Sequence, residues 1–169
     1  MKETVKKRKA VFLDRDGVIN HETGNYVFMP EDFVLNRGIT EILTRFRRHG
    51  YMLIVITNQS GIALGRYTHD HVNSIHDLMK KQFAGHDIDF AEIYYCPHHP
   101  STGKCLCRKP GSLLVEKAVA RFHIDPALSW MIGDKERDIE AAQHAGVKGL
   151  LIKTNEPLLQ HADIILNDC

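Results

Sequence analysis

"AVFLDRDGVINHETG", residues 10–24, decides how the rest of the chain is read. Three apolar residues, Val11, Phe12 and Leu13, run directly into Asp14, Arg15, Asp16 and Gly17. An unbroken apolar run of this length suits a strand covered on both faces, as in a parallel sheet. Its end matters more than its middle. In open α/β sheets, ligands bind in the crevice beyond the carboxyl ends of the strands. Residues i and i+2 of an extended stretch point the same way, so Asp14 and Asp16 address one point while Arg15 points elsewhere. Gly17 lets the chain turn sharply after them.

Working outward, short β-branched or aromatic runs alternate with helical patterns. The first strand is read over 9–14. Ile39, Ile42, Leu43 and Phe46 fall at i, i+3, i+4 and i+7 of a helix that Gly50 stops. A second, fully apolar strand covers 52–57. Thr68 caps a helix whose inner face is Val72, Ile75, Met79 and Phe83. A third strand covers 91–96, and a loop with Pro, Gly and Cys follows as far as Pro110. Ser112 starts a helix with Val115, Ala118, Val119 and Phe122 inside. A fourth strand (129–134), a helix over 136–145 that ends at Gly146, and a fifth strand (147–153) complete the alternation. Residues 162–167 read as a short final edge strand. The expected fold is α/β: a three-layer sandwich around a mainly parallel sheet, in one domain spanning 1–169.

Composition narrows the function classes. The chain is 43% hydrophobic and 25% charged, the balance of a soluble globular protein. A formal net charge of +1 gives no electrostatic case for nucleic acid or an acidic membrane. The one basic run, "KKRK" at 6–9, reads as a solvated, frayed terminus, with a targeting or nucleic-acid role as its rival. No apolar run approaches the roughly 18 residues of a membrane span, and Met1–Lys9 lacks the apolar stretch of a secretion signal. A cytoplasmic monomer is the expectation. In a reducing compartment four cysteines are metal ligands or free thiols rather than disulfides.

Reading the strand ends in order gathers a constellation. Strand one ends on Asp14 and Asp16; strand two on Thr57, Asn58 and Gln59; strand four on Asp134, with Lys135 after it. The loop after strand three carries Arg108 and Lys109. Crowded carboxylates need a cation, and hard oxygen ligands suit Mg²⁺. A hydroxyl, an amide and a lysine beside it suit a phosphoryl group. One carboxylate can attack phosphorus while its neighbour moves protons. Asp138, four residues after Asp134, either orients the metal shell or is a solvated helix residue.

These motifs carry a resemblance. "FLDRDGVIN", "ITNQSGIALG", "CRKP" and "MIGDKERD" resemble the four motifs of the haloacid dehalogenase (HAD) superfamily of aspartate-nucleophile phosphatases. Within it, "YYCPHHP" followed by "CLCRKP" resembles the heptose 1,7-bisphosphate 7-phosphatases and the related histidinol-phosphatases, over residues 10–165. The resemblance implies a Rossmann-like core, Asp14 as nucleophile and Asp16 as general acid/base. It implies Thr57 and Lys109 as phosphoryl stabilisers, and Arg108 and Lys135, with Asn58 and Gln59, in substrate binding. Mg²⁺ is implied on the side chains of Asp14 and Asp134 and the carbonyl of Asp16. "NHETGNY" (20–26) resembles the substrate-facing first loop of the heptose enzymes, which marks Glu22 and Asn25 as candidate sugar contacts. The short loop at 96–110 is nearer the histidinol-phosphatase type, so histidinol phosphate is the rival substrate, and a non-catalytic zinc-stabilised binding module the rival class.

"CPHHPSTGKCLC" holds Cys96, His98, Cys105 and Cys107, two i, i+2 pairs with six residues between them. Thiolates with an imidazole form a soft tetrahedral set that suits structural Zn²⁺; a Cys105–Cys107 redox pair is the alternative. The resemblance implies zinc, with His98 rather than the competing His99. Cys169 reads as a free, frayed thiol, and His69 and His71 as exposed helix residues. About 24 residues separate strand one from the first helix, and no later insertion exceeds loop size. No separate cap domain is therefore expected, and loops near 20–33, 60–67 and 96–110 must screen the site.

Overall fold

The fold comes from a computed structural model that describes residues 7–168. Five parallel strands form one sheet in the order β3-β2-β1-β4-β5: β1 Lys9–Leu13, β2 Tyr51–Asn58, β3 Glu92–Cys96, β4 Trp130–Gly133 and β5 Lys148–Leu151. The strand that opened the reading lies at the centre, paired with β2 through Leu13↔Val55 and with β4 through Leu13↔Ile132. Its side chains alternate between two cores. Val11 and Leu13 pack with α1 (Ile39–Arg48), α2 (His69–Ala84) and α5 (Ala162–Leu166), through Ile42, Phe46, Ile75, Met79 and Ile165. Ala10 and Phe12 pack with α3 (Leu113–Phe122) and α4 (Glu136–His144), through Leu114, Val115, Ala118 and Ala142. Helices on both faces explain why β1 and β2 are apolar without alternation. Among the described residues there is no separate cap.

Two expectations need correction. Residues 162–167 do not form an edge strand: Ala162–Leu166 is the short helix α5. Its buried residues, Ala162, Ile165 and Leu166, stand at i, i+3 and i+4, a helical spacing that a strand cannot put on one face. The basic run is not a frayed tail where it is described. Lys9 opens β1, with its ammonium 4.2 Å from the centre of the Tyr51 ring. The Arg8 N–H donates to His123 O at 3.0 Å, and Arg8 O accepts from Asp125 N at 2.7 Å. Lys6 and Cys169 lie outside the described residues.

The tempting histidines at the start of α2 have structural partners. Thr68 caps the helix, with its Oγ1 accepting from His71 N at 3.4 Å and His71 Nδ1 accepting from Thr68 N at 3.1 Å. His71 thus fills the place a Glu takes in a capping box. His69 Nδ1 stands 2.8 Å from Tyr95 OH.

Candidate active site

The β1, β2 and β4 ends converge on a cleft of about 290 Å³ lined by Asp14, Asp16, Thr57, Asn58, Gln59, Asp134, Lys135 and Arg108, with Glu22, Asn25 and Tyr26 on its wall. Asp14 N donates to Ile132 O at 3.0 Å, which extends the β1–β4 ladder one residue past the strand and fixes where the carboxylate begins. Asp14 Oδ1 then accepts from Arg15 N at 2.7 Å and lies 3.0 Å from Lys109 Nζ. Lys109 is 1% exposed and spans the rim: its Nζ also lies 2.7 Å from Asp138 Oδ1 and donates to Ile56 O at 2.7 Å. Burial opposes its charge, but Asp14 and Asp138 more than offset that and raise its pKa. Burial pushes the Asp14 carboxyl up to about 7; Lys109 pulls it down, and the Asp138 and Asp16 charges push it up again.

Asp16 is held by a separate set. It accepts from Arg15 NH2 at 3.0 Å, Asn20 Nδ2 at 3.0 Å and Gln59 Nε2 at 3.0 Å. Arg15 points away from the cleft, as alternation requires, into the layer under α2. There it is fully buried, donates to Val27 O at 3.0 Å and lies 3.4 Å from His76 Nε2. Its guanidinium bends back to Asp16. Gln59 Nε2 also reaches Thr57 Oγ1 at 2.9 Å, while its Oε1 accepts from Tyr67 OH at 2.8 Å. Because a hydroxyl donates to the carbonyl end, the amide end is turned to the cleft.

The third corner is Asp134, whose Oδ2 lies 2.8 Å from Lys135 Nζ and accepts from Thr154 Oγ1 at 2.6 Å. Gly17 makes this approach possible. Its φ is +84°, and a Cβ there would sit 2.5 Å from Asp134 Oδ2. Asp138 is fully buried, not solvated: one oxygen faces Lys109, and the other accepts from Lys135 N at 3.1 Å. It positions both lysines. Asn58 lines the cleft, but both ends of its amide bind the Lys109 main chain, donating to O at 3.2 Å and accepting from N at 3.1 Å. Glu22 Oε1 accepts from Gly24 N at 2.7 Å, folding the first loop on itself. The loop over 60–67 contributes Ser60 to the cleft; Leu64 and Arg66 face an adjoining depression that Tyr26 also lines.

Sequence reading missed Thr154, Tyr67 and Arg137, and weighed His99 only as a rival zinc ligand, not as a residue of the cleft. Thr154 follows β5, so the strand-end rule that found the other corners also pointed to it. Tyr67, His99 and Arg137 lie in loops or a helix turn without a pattern of their own.

Carboxylate oxygens of Asp14, Asp134 and Asp138 lie within 4.8 Å of one another. Hard, buried, like-charged donors around a glycine-cleared notch fit a small divalent cation of the Mg²⁺ type. Behind the loop after β3, Cys96 Sγ lies 3.7 Å from Cys105 Sγ, 3.1 Å from Cys107 Sγ and 3.5 Å from His98 Nδ1, which is itself 3.3 Å from Cys107 Sγ. Tetrahedral zinc with Zn–S near 2.3 Å sets its sulfurs about 3.7 Å apart, so the donor set fits that ion. His99 is turned aside onto Ser101 Oγ at 2.7 Å. A larger depression of about 900 Å³ outside this loop, with Leu106 and Leu113 on its wall, has a single lining carboxylate, Glu116, and so lacks the cluster of acids that marks the cleft.

Residues 106–163 match the HAD-hydrolase-like family model. The chain is 40% identical to a D-glycero-β-D-manno-heptose-1,7-bisphosphate 7-phosphatase of Vibrio cholerae, covering 94% of this chain and 88% of that protein. The chain belongs to the heptose-bisphosphate phosphatase family of HAD-like hydrolases. The Escherichia coli K12 member is 38% identical over 91% of this chain and 84% of its own length. A crystal structure of D,D-heptose 1,7-bisphosphate phosphatase from B. bronchiseptica, complexed with magnesium and phosphate, superposes with a TM-score of 0.82 at 32% identity, covering 92% of this chain and 86% of that one. A HAD-like protein from Mesorhizobium loti, 24% identical with a TM-score of 0.85, shares the fold. No helix among the described residues is long and apolar enough to cross a membrane.

Proposed function

We propose that this protein is a Mg²⁺-dependent phosphatase that removes the 7-phosphate of D-glycero-D-manno-heptose 1,7-bisphosphate through an aspartyl phosphate. The observation that carries the reading is 40% identity to a heptose phosphatase along 94% of the chain. The convergence of Asp14, Asp16, Thr57, Lys109 and Asp134 on one cleft supports it.

The roles follow from the partners. Asp14 Oδ1 is held by Lys109 and Arg15 N. The other oxygen has no hydrogen-bond partner among the described residues and is the one aimed at phosphorus. As it bonds to phosphorus, the bond from phosphorus to the C7 oxygen breaks, and Asp16 gives its proton to that oxygen. Asp16 then takes a proton from water as the water attacks phosphorus. This releases phosphate and returns Asp14 to a carboxylate. Lys109 and Thr57 stand where charge grows on the phosphoryl oxygens. Asp14, Asp134 and the carbonyl of Asp16 would hold Mg²⁺, which supplies positive charge against the phosphoryl group and the carboxylates. Cys96, His98, Cys105 and Cys107 would hold a structural Zn²⁺ that fixes the loop, so that Arg108 and Lys109, the next residues, face the cleft. A thiol cluster that must stay reduced supports a cytoplasmic site of action.

The test is initial rates on heptose 1,7-bisphosphate and on histidinol phosphate, with and without Mg²⁺. The expected result is Mg²⁺-dependent phosphate release with kcat/KM strongly favouring the heptose. Preference for histidinol phosphate overturns the substrate, and no release from either overturns the enzyme.

A further inference from the structure

Four cationic side chains line the cleft or its floor, and the protein neutralises only some of them. Lys109 lies between Asp14 and Asp138, and Lys135 between Asp134 and Thr154. Arg108 donates to a single main-chain acceptor, His98 O, at 3.2 Å. Arg137 has no hydrogen bond or ion pair with any described residue, and its Nε is shut off from solvent without an acceptor. Its place in the fold sharpens the anomaly. Arg137 is the second residue of α4, in the first turn, where the helix dipole disfavours a cation. Its neighbours there, Glu136 and Asp138, carry the favoured sign. Burial of an unpaired donor and the wrong charge for that turn both weigh against this arginine in the free protein. An anion in the cleft removes both objections.

The proposed substrate brings two phosphates. One reacts at Asp14 beside Lys109. The sugar carbon chain holds the other away from that point, so it cannot share the same lysine. We propose that Arg137, which lines the cleft, binds the second, non-reacting phosphate and so sets the preference for a bisphosphate over a monophosphate. A guanidinium suits this task because its forked donors match phosphate oxygens two at a time. The inference rests on the substrate reading above and extends it to a residue whose guanidinium has no hydrogen bond or ion pair among the described residues.

The experiment compares heptose 1,7-bisphosphate with heptose 7-phosphate, which lacks the second group. In the wild type kcat/KM favours the bisphosphate. In R137A and R137Q that ratio falls by about 10- to 100-fold, the size of a lost charge-assisted contact, with R137K between them. Heptose 1-phosphate, the product that keeps the second phosphate, provides a direct binding measurement. Its Kd in calorimetry rises by a similar factor in R137A and R137Q. An unchanged ratio and an unchanged product Kd in both variants overturn the assignment, as does a wild type without preference. Failure of the wild type to cleave either substrate is a different result and sinks the substrate reading itself.

Discussion

Asp14, Thr57, Lys109 and Asp134 come from four segments spread between residues 14 and 134, whereas Cys96, His98, Cys105 and Cys107 all lie within residues 96–107. The acidic rim is assembled by the whole sheet. Asp14 continues a ladder, Gly17 clears a notch, and buried partners hold each carboxylate. The cysteine loop has one short 3₁₀ turn, Pro100–Thr102, and mostly exposed residues, so its shape depends on four side chains meeting. Long-range contacts hold the rim side chains in place from several elements; the loop, by contrast, has few contacts beyond its own four donor side chains. The two regions join at Arg108 and Lys109, which directly follow the last thiol. Damage to the rim should therefore abolish chemistry and spare the fold, whereas damage to the loop should loosen structure and weaken chemistry only in part.

The largest expected effect tests the first half of that contrast. D14N removes the proposed nucleophile, and turnover falls by about 10⁴-fold or more. The fold does not suffer. Burial pushes the Asp14 carboxyl up to about 7, so its charge is held at a cost that a neutral amide avoids. The thermal midpoint of the metal-free variant is expected to be no lower than that of wild type. A large drop in midpoint breaks the comparison, because the rim would then be part of what holds the sheet together.

K109M is the next largest and marks where the contrast ends. Lys109 is the one rim residue whose loss strands two buried carboxylates, Asp14 and Asp138, without their cation. Breaking a buried pair in this way costs about 3–5 kcal/mol. The urea midpoint should fall accordingly, along with activity. A small shift means that water reaches the rim more freely than a 1% exposed lysine indicates.

How much of this could be read beforehand follows the same division. The rim was legible because strand ends in a parallel sheet share one edge, so Asp14, Thr57 and Asp134 could be brought together by counting strands. The loop was legible because its donors are close in sequence. Partners that depend on tertiary distance were not legible. Asn58 grips a main chain 51 residues away, and Thr154 reaches Asp134 from beyond the last strand. Arg15 was read as pointing elsewhere, yet nothing in the pattern said that it would be buried whole and bend back to Asp16. The misreading of 162–167 came from a five-residue segment, four of its residues apolar, too short for its period to separate helix from strand.

C105S tests the second half of the contrast. It removes one of the four proposed zinc donors from a loop with little other order. Bound zinc is expected to fall, cleavage by protease between residues 97 and 107 to quicken, and kcat/KM to drop by about 10- to 100-fold with Mg²⁺ saturating. Activity should survive in part, because Lys109 is still anchored by Asn58, Ile56 O and two carboxylates. Unchanged kinetics in a demonstrably zinc-free protein would show that the sheet alone orients Arg108 and Lys109.

The smallest effect concerns acid, which attacks the two regions by different routes. Ligands of the proposed zinc must be deprotonated to bind it, so acid should loosen the loop through metal loss. The rim has its own sensor behind it. His76, 4% exposed against Arg15, has its pKa lowered from 6.5 to about 3, by burial first and the guanidinium second. The folded state therefore resists taking a proton that the unfolded chain accepts. Above pH 6.5 the group contributes nothing, and as pH falls toward 3 the unfolded state gains protons and stability is lost. The loss attributable to His76 is about 1 kcal/mol by pH 6. H76Q keeps an acceptor for Arg15 and does not titrate, so its urea midpoint should fall less steeply between pH 7.5 and 6 than that of wild type, at equal zinc content. Parallel slopes in the two proteins would assign the acid sensitivity of the whole molecule to the loop, and leave the rim indifferent to pH from this side.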